Sequence, residues 1–135
     1  MTRGLLIDSH VLMWLAQEPP ALSARVLAVL DESEAPLFVS TIAIAELCIK
    51  ANLGKLQLPC EHEHGEADFD ELLENLEIDA LPVAVAHATR LRGLPLHHRD
   101  PFDRLMIAQA MVEGLTLVTH DRAFARYDGL AVLWV

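Results

Sequence analysis

Leu5-Leu6-Ile7 is a short unbroken apolar run that ends at Asp8-Ser9, the pattern of a strand buried on both faces and followed by a helix cap. Apolar positions then recur at helical spacing, first as Val11, Leu12, Trp14 and Leu15 up to Pro19-Pro20, then as Leu22, Val26, Val29 and Leu30 in a second helix closed by the stretch from Asp31 to Pro36. Leu37-Phe38-Val39 predicts a second strand, and Ser40 caps a third helix that carries Ile42, Ala43, Glu46, Leu47 and Ile49 and ends at Gly54. Residues 55–68 are polar and loop-like, an insertion between the two halves. Phe69 to Leu76 reads as a short helix, Ile78 to Leu81 as a strand, and Pro82 opens a helix through Leu91. After a turn-rich connection from Gly93 to Arg99, Asp100 stands at an N-cap with Pro101 at the first helical position of a helix that runs to Glu113-Gly114. Leu115 to Val118 is a strand ending at Thr119-His120-Asp121, followed by a short helix and a last strand from Ala131 to Trp134.

Strands that alternate with helices in this way predict an α/β fold, a central parallel sheet of about five strands flanked by helices on both faces. At 135 residues and 53% hydrophobic content, the chain can bury a core of its own, so a single domain over residues 1–135 is expected. No uncharged apolar run approaches the roughly 18 residues needed to span a bilayer, which argues against a membrane protein. Cys48 and Cys60 form no framework of regular spacing, and no charged leader with an apolar core opens the chain. Both features point to a reducing cytoplasm. A formal charge of −10 argues against a broad basic surface for gripping duplex nucleic acid.

Four acids stand out because each is set in or at the end of an apolar segment: Asp8, Glu46, Asp103 and Asp121. An ionised carboxylate taken from water alone is costly, so such acids require a compensating partner. Ligand sites of open parallel sheets lie outside the carboxyl ends of the strands, where Asp8 and Asp121 stand. Glu46 follows the second strand by six residues, within roughly 9 Å of that edge at a rise of about 1.5 Å per residue. The helix from Pro101 feeds the strand at Leu115, so its N-terminus returns Asp103 to Asp121. Asp103 shares a stripe with Ile107 and Ala110, and Glu46 shares one with Ile42, Ala43, Ile49 and Leu53, which turns both side chains inward. Oxygen-only ligands select a hard divalent ion, Mg²⁺ or Mn²⁺, and phosphodiester hydrolysis is its natural chemistry. Taken singly, Asp103 also suits a helix macrodipole, Asp121 a turn or cap, and Asp100 an N-cap. Glu46, in mid-helix among Ile and Ala, has no such role.

The ordered set Leu5-Leu6-Ile7-Asp8, Ser40 to Glu46, His98-Arg99-Asp100-Pro101-Phe102-Asp103-Arg104 to Ala108, and Leu117-Val118-Thr119-His120-Asp121 resembles the PIN-domain family, and within it the VapC-like toxins of type II toxin-antitoxin systems. The similarity spans nearly the whole chain and extends to Gly54 to Pro59 and to Leu81-Pro82-Val83 with His87-Ala88. The resemblance implies a Mg²⁺- or Mn²⁺-dependent endoribonuclease that hydrolyses RNA by water attack, leaving a 5′-phosphate and a 3′-hydroxyl. It also implies a homodimer silenced by a cognate antitoxin whose tail enters the active-site groove. The family's acids map onto Asp8, Glu46, Asp103 and Asp121, with Asp8 and Asp103 as the principal metal ligands, and its hydroxyl onto Thr119. An alternative is a catalytically inactive PIN-like subunit that acts through partner recognition.

The remaining polar residues have ordinary readings. The segment Cys60 to Glu66 is rich in His and acid but lacks the spacing of a closed zinc site, so a polar loop is expected. His87 lies on an apolar stripe and reads as a hydrogen-bonded packing residue. His97 and His98 occupy a turn, His120 is expected to point away from Asp121, and Ser9 reads as the cap of the first helix. Arg104 suits either a phosphate contact or a surface salt bridge.

Overall fold

The computed structural model describes residues 2–17, 20–61, 68–97 and 99–135, with the backbone alone at residues 20–23. The helix end at Pro19, the side chain of Leu22, most of the His-rich loop (residues 62–66) and His98 lie outside the described residues. In chain order the elements are β1 (Leu5–Ile7), α1 (Ser9–Ala16), α2 (Pro20–Ser33), β2 (Leu37–Ser40), α3 (Thr41–Asn52), α4 (Phe69–Leu76), β3 (Ile78–Leu81), α5 (Val85–Arg90), α6 (Pro101–Glu113), β4 (Thr116–Thr119) and β5 (Val132–Trp134). Single 3-10 turns occupy Leu91–Gly93 and Arg122–Arg126.

The five strands form one sheet in the order β3-β2-β1-β4-β5, and every pairing is parallel. This is the α/β architecture that the alternating pattern predicts. Leu5, Leu6 and Ile7 of β1 are all buried, as a central parallel strand covered on both faces must be. Crossovers leave β1 in opposite directions, to β2 on one side and later to β4 on the other, so the carboxyl ends of β1 and β4 flank the topological switch point of the sheet. Register fixes that edge: Ile7 pairs with Val118, and the Asp8 amide donates to the Val118 carbonyl at 3.1 Å.

Helix ends deliver the chain to this edge. Ser40 accepts from the Ile42 amide and starts α3 where β2 stops. Asp100 accepts from the Phe102 amide at 2.9 Å and Pro101 occupies the first turn of α6, as the sequence indicates. Gly114, at φ 69°, ends α6, and its left-handed backbone, cheap only for glycine, turns the chain straight into β4.

Four local readings need correction. Asp8 is the N-cap of α1 and Ser9 its first helical residue, because the aspartate side chain reaches the Val11 amide. The fifth helix begins at Val85, three residues after Pro82: buried His87 accepts the Ala84 N–H on Nδ1 at 2.8 Å, which caps the helix there. Helix α2 continues to Ser33, into the stretch expected to close it, and the segment after Asp121 is a 3-10 turn.

With Nδ1 of His87 accepting, its proton sits on Nε2, which meets Glu113 Oε1 at 3.0 Å and ties α5 to α6. His87→Ala leaves a backbone amide without its acceptor and a void at a site that is 1% exposed, so chemical denaturation is expected to register a loss of about 2–4 kcal/mol. Glu113→Gln keeps an acceptor for Nε2–H and is expected to cost under about 1 kcal/mol.

Candidate active site

Asp8 leaves β1 at the switch point and is 4% exposed. Its Oδ1 accepts from the Val11 amide at 2.9 Å, and the Thr119 hydroxyl at the end of β4 also hydrogen-bonds its carboxylate. Thr119 Oγ1 in turn accepts from the Asp121 amide at 3.1 Å, so one fully buried threonine fixes the spacing of two acids on neighbouring strand ends. Burial pushes the Asp8 carboxyl above its ordinary value, and the Thr119 and Val11 hydrogen bonds oppose that rise.

The other acids converge from α3 and α6. Asp103 is pushed up to about 7, first by burial and then by the negative charge of Asp100, Glu46, Asp121 and Asp8. The other three expected acids, and Asp100 with them, therefore act on Asp103 through space. Glu46, 5% exposed, pairs with Lys50 through Oε2 at 3.0 Å. Its other oxygen, Oε1, is buried and has no hydrogen-bond partner among the described residues. The inward face of α3 is Ala43, Glu46 and Leu47, whereas Ile49 and Leu53, placed by the sequence on the same stripe, are exposed. Asp121 is exposed at the rim, and its Oδ1 accepts from the Ala123 amide. Capping the following turn and facing the acid cluster are thus both roles of this residue.

These carboxylates line a cleft of about 400 Å³ that also admits Ser9, His10, Lys50, His120 and Arg122. Among the described residues five acids face two permanent cations, an imbalance that raises the cost of ionising any one of them. A divalent cation inverts that balance. The donor set is all oxygen, one buried carboxylate oxygen lacks a partner among the described residues, and burial and the neighbouring acids push the Asp103 carboxyl up to about 7, so the residues fit a hard ion such as Mg²⁺ or Mn²⁺. Asp8, Glu46, Asp103 and Asp121 are the side chains that could hold it.

Two expectations about polar neighbours differ from the structure. Among the described residues Arg104 neither lines the cleft nor pairs with an acid: its guanidinium donates to the carbonyls of Pro95 at 2.8 Å and Leu94 at 3.2 Å, tying the connection before α6 to the helix. His120 does not point away from Asp121's site. It lines the cleft, with its ring 5.3 Å from that of His10 and 4.8 Å from that of Trp14. Strand alternation fails there because β4 ends at Thr119. His97 packs edge-on against Tyr127 at 4.9 Å. Sequence reasoning also passed over His10, whose place two residues after Asp8 in the first turn of α1 was the available signal.

A family model described as PIN domain matches residues 5–130. Ribonuclease VapC22 of Mycobacterium tuberculosis is 31% identical over 118 residues, which is 87% of each chain. Among solved structures, VapBC2 from Rickettsia felis bound to a DNA fragment from its promoter matches with a TM-score of 0.72 at 17% identity, over 97% of this chain and 98% of that one. A toxin-antitoxin complex from Klebsiella pneumoniae matches with a TM-score of 0.64 at 16% identity, over 96% of both chains. At these identities the two structures establish likeness of fold.

The raised carboxyl of Asp103 has a pH consequence. Because the folded state binds its proton more tightly than the unfolded chain, metal-free protein loses stability as pH rises from about 4 through about 7. Asp8 contributes in the same direction. Melting temperatures recorded in chelator are expected to fall across that window, and Asp103→Asn is expected to flatten the fall and melt higher than the parent at pH 8. A melting temperature that rises between pH 5 and 8 in the parent protein contradicts the crowding.

Proposed function

The chain belongs to the PIN-domain family, and from that premise we propose that it is a metal-dependent endoribonuclease, the toxin component of a type II toxin-antitoxin system. The observation that carries this reading is the convergence of Asp8, Glu46, Asp103 and Asp121 on one cleft at the carboxyl edge of β1 and β4. Similarity to a ribonuclease over most of both chains supports it. The cofactor of the proposal is Mg²⁺ or Mn²⁺, the chain acts as a single PIN domain over residues 1–135, and its setting is the cytoplasm. Among the described residues no helix is long and apolar enough to cross a membrane.

Each side chain has a defined task. Asp8, pinned by the Val11 amide and Thr119, is a rigid ligand. Asp103 completes the pair once it gives up its proton. Glu46 offers its unpartnered Oε1 while Lys50 holds the other oxygen. Asp121, at the open rim, orients the attacking water. Arg122, whose guanidinium lies 4.6 Å from the centroid of the Trp134 ring, and Lys50 supply the positive charge that meets RNA phosphate. A bound divalent ion neutralises charge on the phosphoryl oxygen and makes water a better nucleophile at neutral pH. Hydrolysis leaves a 5′-phosphate and a 3′-hydroxyl.

The grip on RNA is local, since a chain of net charge −10 repels a polyanion wherever it is not specifically basic. That charge pattern suits a partner with a basic segment, and a cognate antitoxin whose tail enters the cleft is part of the proposal, as is a homodimer.

Purified antitoxin-free protein is expected to cut total RNA into discrete fragments with Mg²⁺ or Mn²⁺ and to stop in EDTA. Partners behind a metal ligand are worth roughly 10–100-fold, so Thr119→Val is expected to fall in that range and Asp8→Asn beyond it. Cleavage that survives EDTA or Asp8→Asn contradicts the mechanism. Failure of the folded protein both to cleave and to bind Mn²⁺ returns the chain to a binding subunit built on the same fold.

A further inference from the structure

Beside the acids stands a group of a different chemical kind. The ladder between β1 and β4 sets Asp8 opposite Thr119, so the residue after Thr119 and the first turn of α1 meet at the same edge. His120 comes from the first and His10 from the second. One ring nitrogen of each histidine and one Asp8 oxygen all lie within 4.8 Å of one another. The two imidazoles pack edge-to-face at 5.3 Å, and Trp14, one turn further along α1, lies 4.8 Å from His120.

We propose that Asp8, His10 and His120 form a transition-metal site, selective for borderline ions such as Zn²⁺ over Mg²⁺. Two imidazoles and a carboxylate are the ligand set that a borderline ion prefers, whereas Mg²⁺ dehydrates reluctantly and favours oxygen. Ligand atoms bound at about 2.0–2.1 Å around zinc stand closer together than 4.8 Å. Closure falls to the two histidines, both exposed at the cleft rim and so able to change rotamer, while Asp8 is buried and held by Val11 and Thr119. Water or a substrate oxygen takes the remaining position. The site shares Asp8 with the all-oxygen set but uses neither Glu46 nor Asp103, and its existence does not depend on whether the protein cuts RNA.

The test is Zn²⁺ titration of the full chain by calorimetry without added Mg²⁺, which would compete for the shared Asp8, so that the variants alone tell the two ligand sets apart. The expected result is saturable Zn²⁺ binding that weakens at least about tenfold in the His10→Ala, His120→Ala double variant and stays within about threefold of the parent in Asp103→Asn. Single His10→Gln and His120→Gln variants, each folded by circular dichroism, are expected to weaken it separately. No saturable binding by the parent, parental affinity in the double variant, or a loss in Asp103→Asn equal to that in the double variant overturns the proposal. Because no RNA is present, these outcomes are independent of the ribonuclease reading.

Discussion

The structure depends on a repulsion. Five carboxylates are brought to one end of a parallel sheet, two of them buried, and burial together with the charge of its neighbours pushes the Asp103 carboxyl up to about 7. A fold selected for stability alone has no reason to keep this arrangement, because a buried acid costs free energy unless something compensates it. The compensation inside the chain is partial: Lys50 for one oxygen of Glu46, Thr119 and a backbone amide for Asp8. A divalent cation from solution would supply the remainder. Stability and function are linked here, since the ion that relieves the repulsion is the one that the proposed chemistry uses.

The scaffold holds that strain with short, well-specified parts. Strands β1 and β4 are locked in register by direct pairing, which sets Asp8 and Thr119 side by side without any flexible loop. Asp8 and Asp100 cap the helices that begin at the site, so each uses a carboxylate both to start a helix and to charge the cleft. Partial positive charge at those helix N-termini offsets some of the crowding. The same economy appears at Asp121, which caps the turn that carries Arg122.

Much of this was legible in the sequence because it rests on local rules. The five strands announce themselves as short apolar runs, and the strand-end positions of Asp8 and Asp121 follow from those runs alone. Glu46 was legible for the opposite reason, as an acid with nothing local to explain it. What stayed hidden depends on where side chains reach once the chain is folded. The start of α5 is set by His87 reaching back to the Ala84 amide, and Arg104 finds carbonyls ten and nine residues earlier in the chain. His120 faces the cleft because the strand stops one residue before it. Asp100 looked sufficient as a cap, and only the fold reveals that it is also the nearest in effect of the charges acting on Asp103.

Proton release on metal binding tests the central claim most directly. Calorimetric titration of Mn²⁺ at pH 7, repeated in buffers of different ionisation enthalpy, counts the protons that the site gives up. With Asp103 at about 7, the account predicts about half a proton from that group per ion bound at pH 7 and a release that shrinks towards zero by about pH 9. Binding with no proton release at pH 7, or release that persists unchanged in Asp103→Asn, contradicts the claim that the acids crowd a single site.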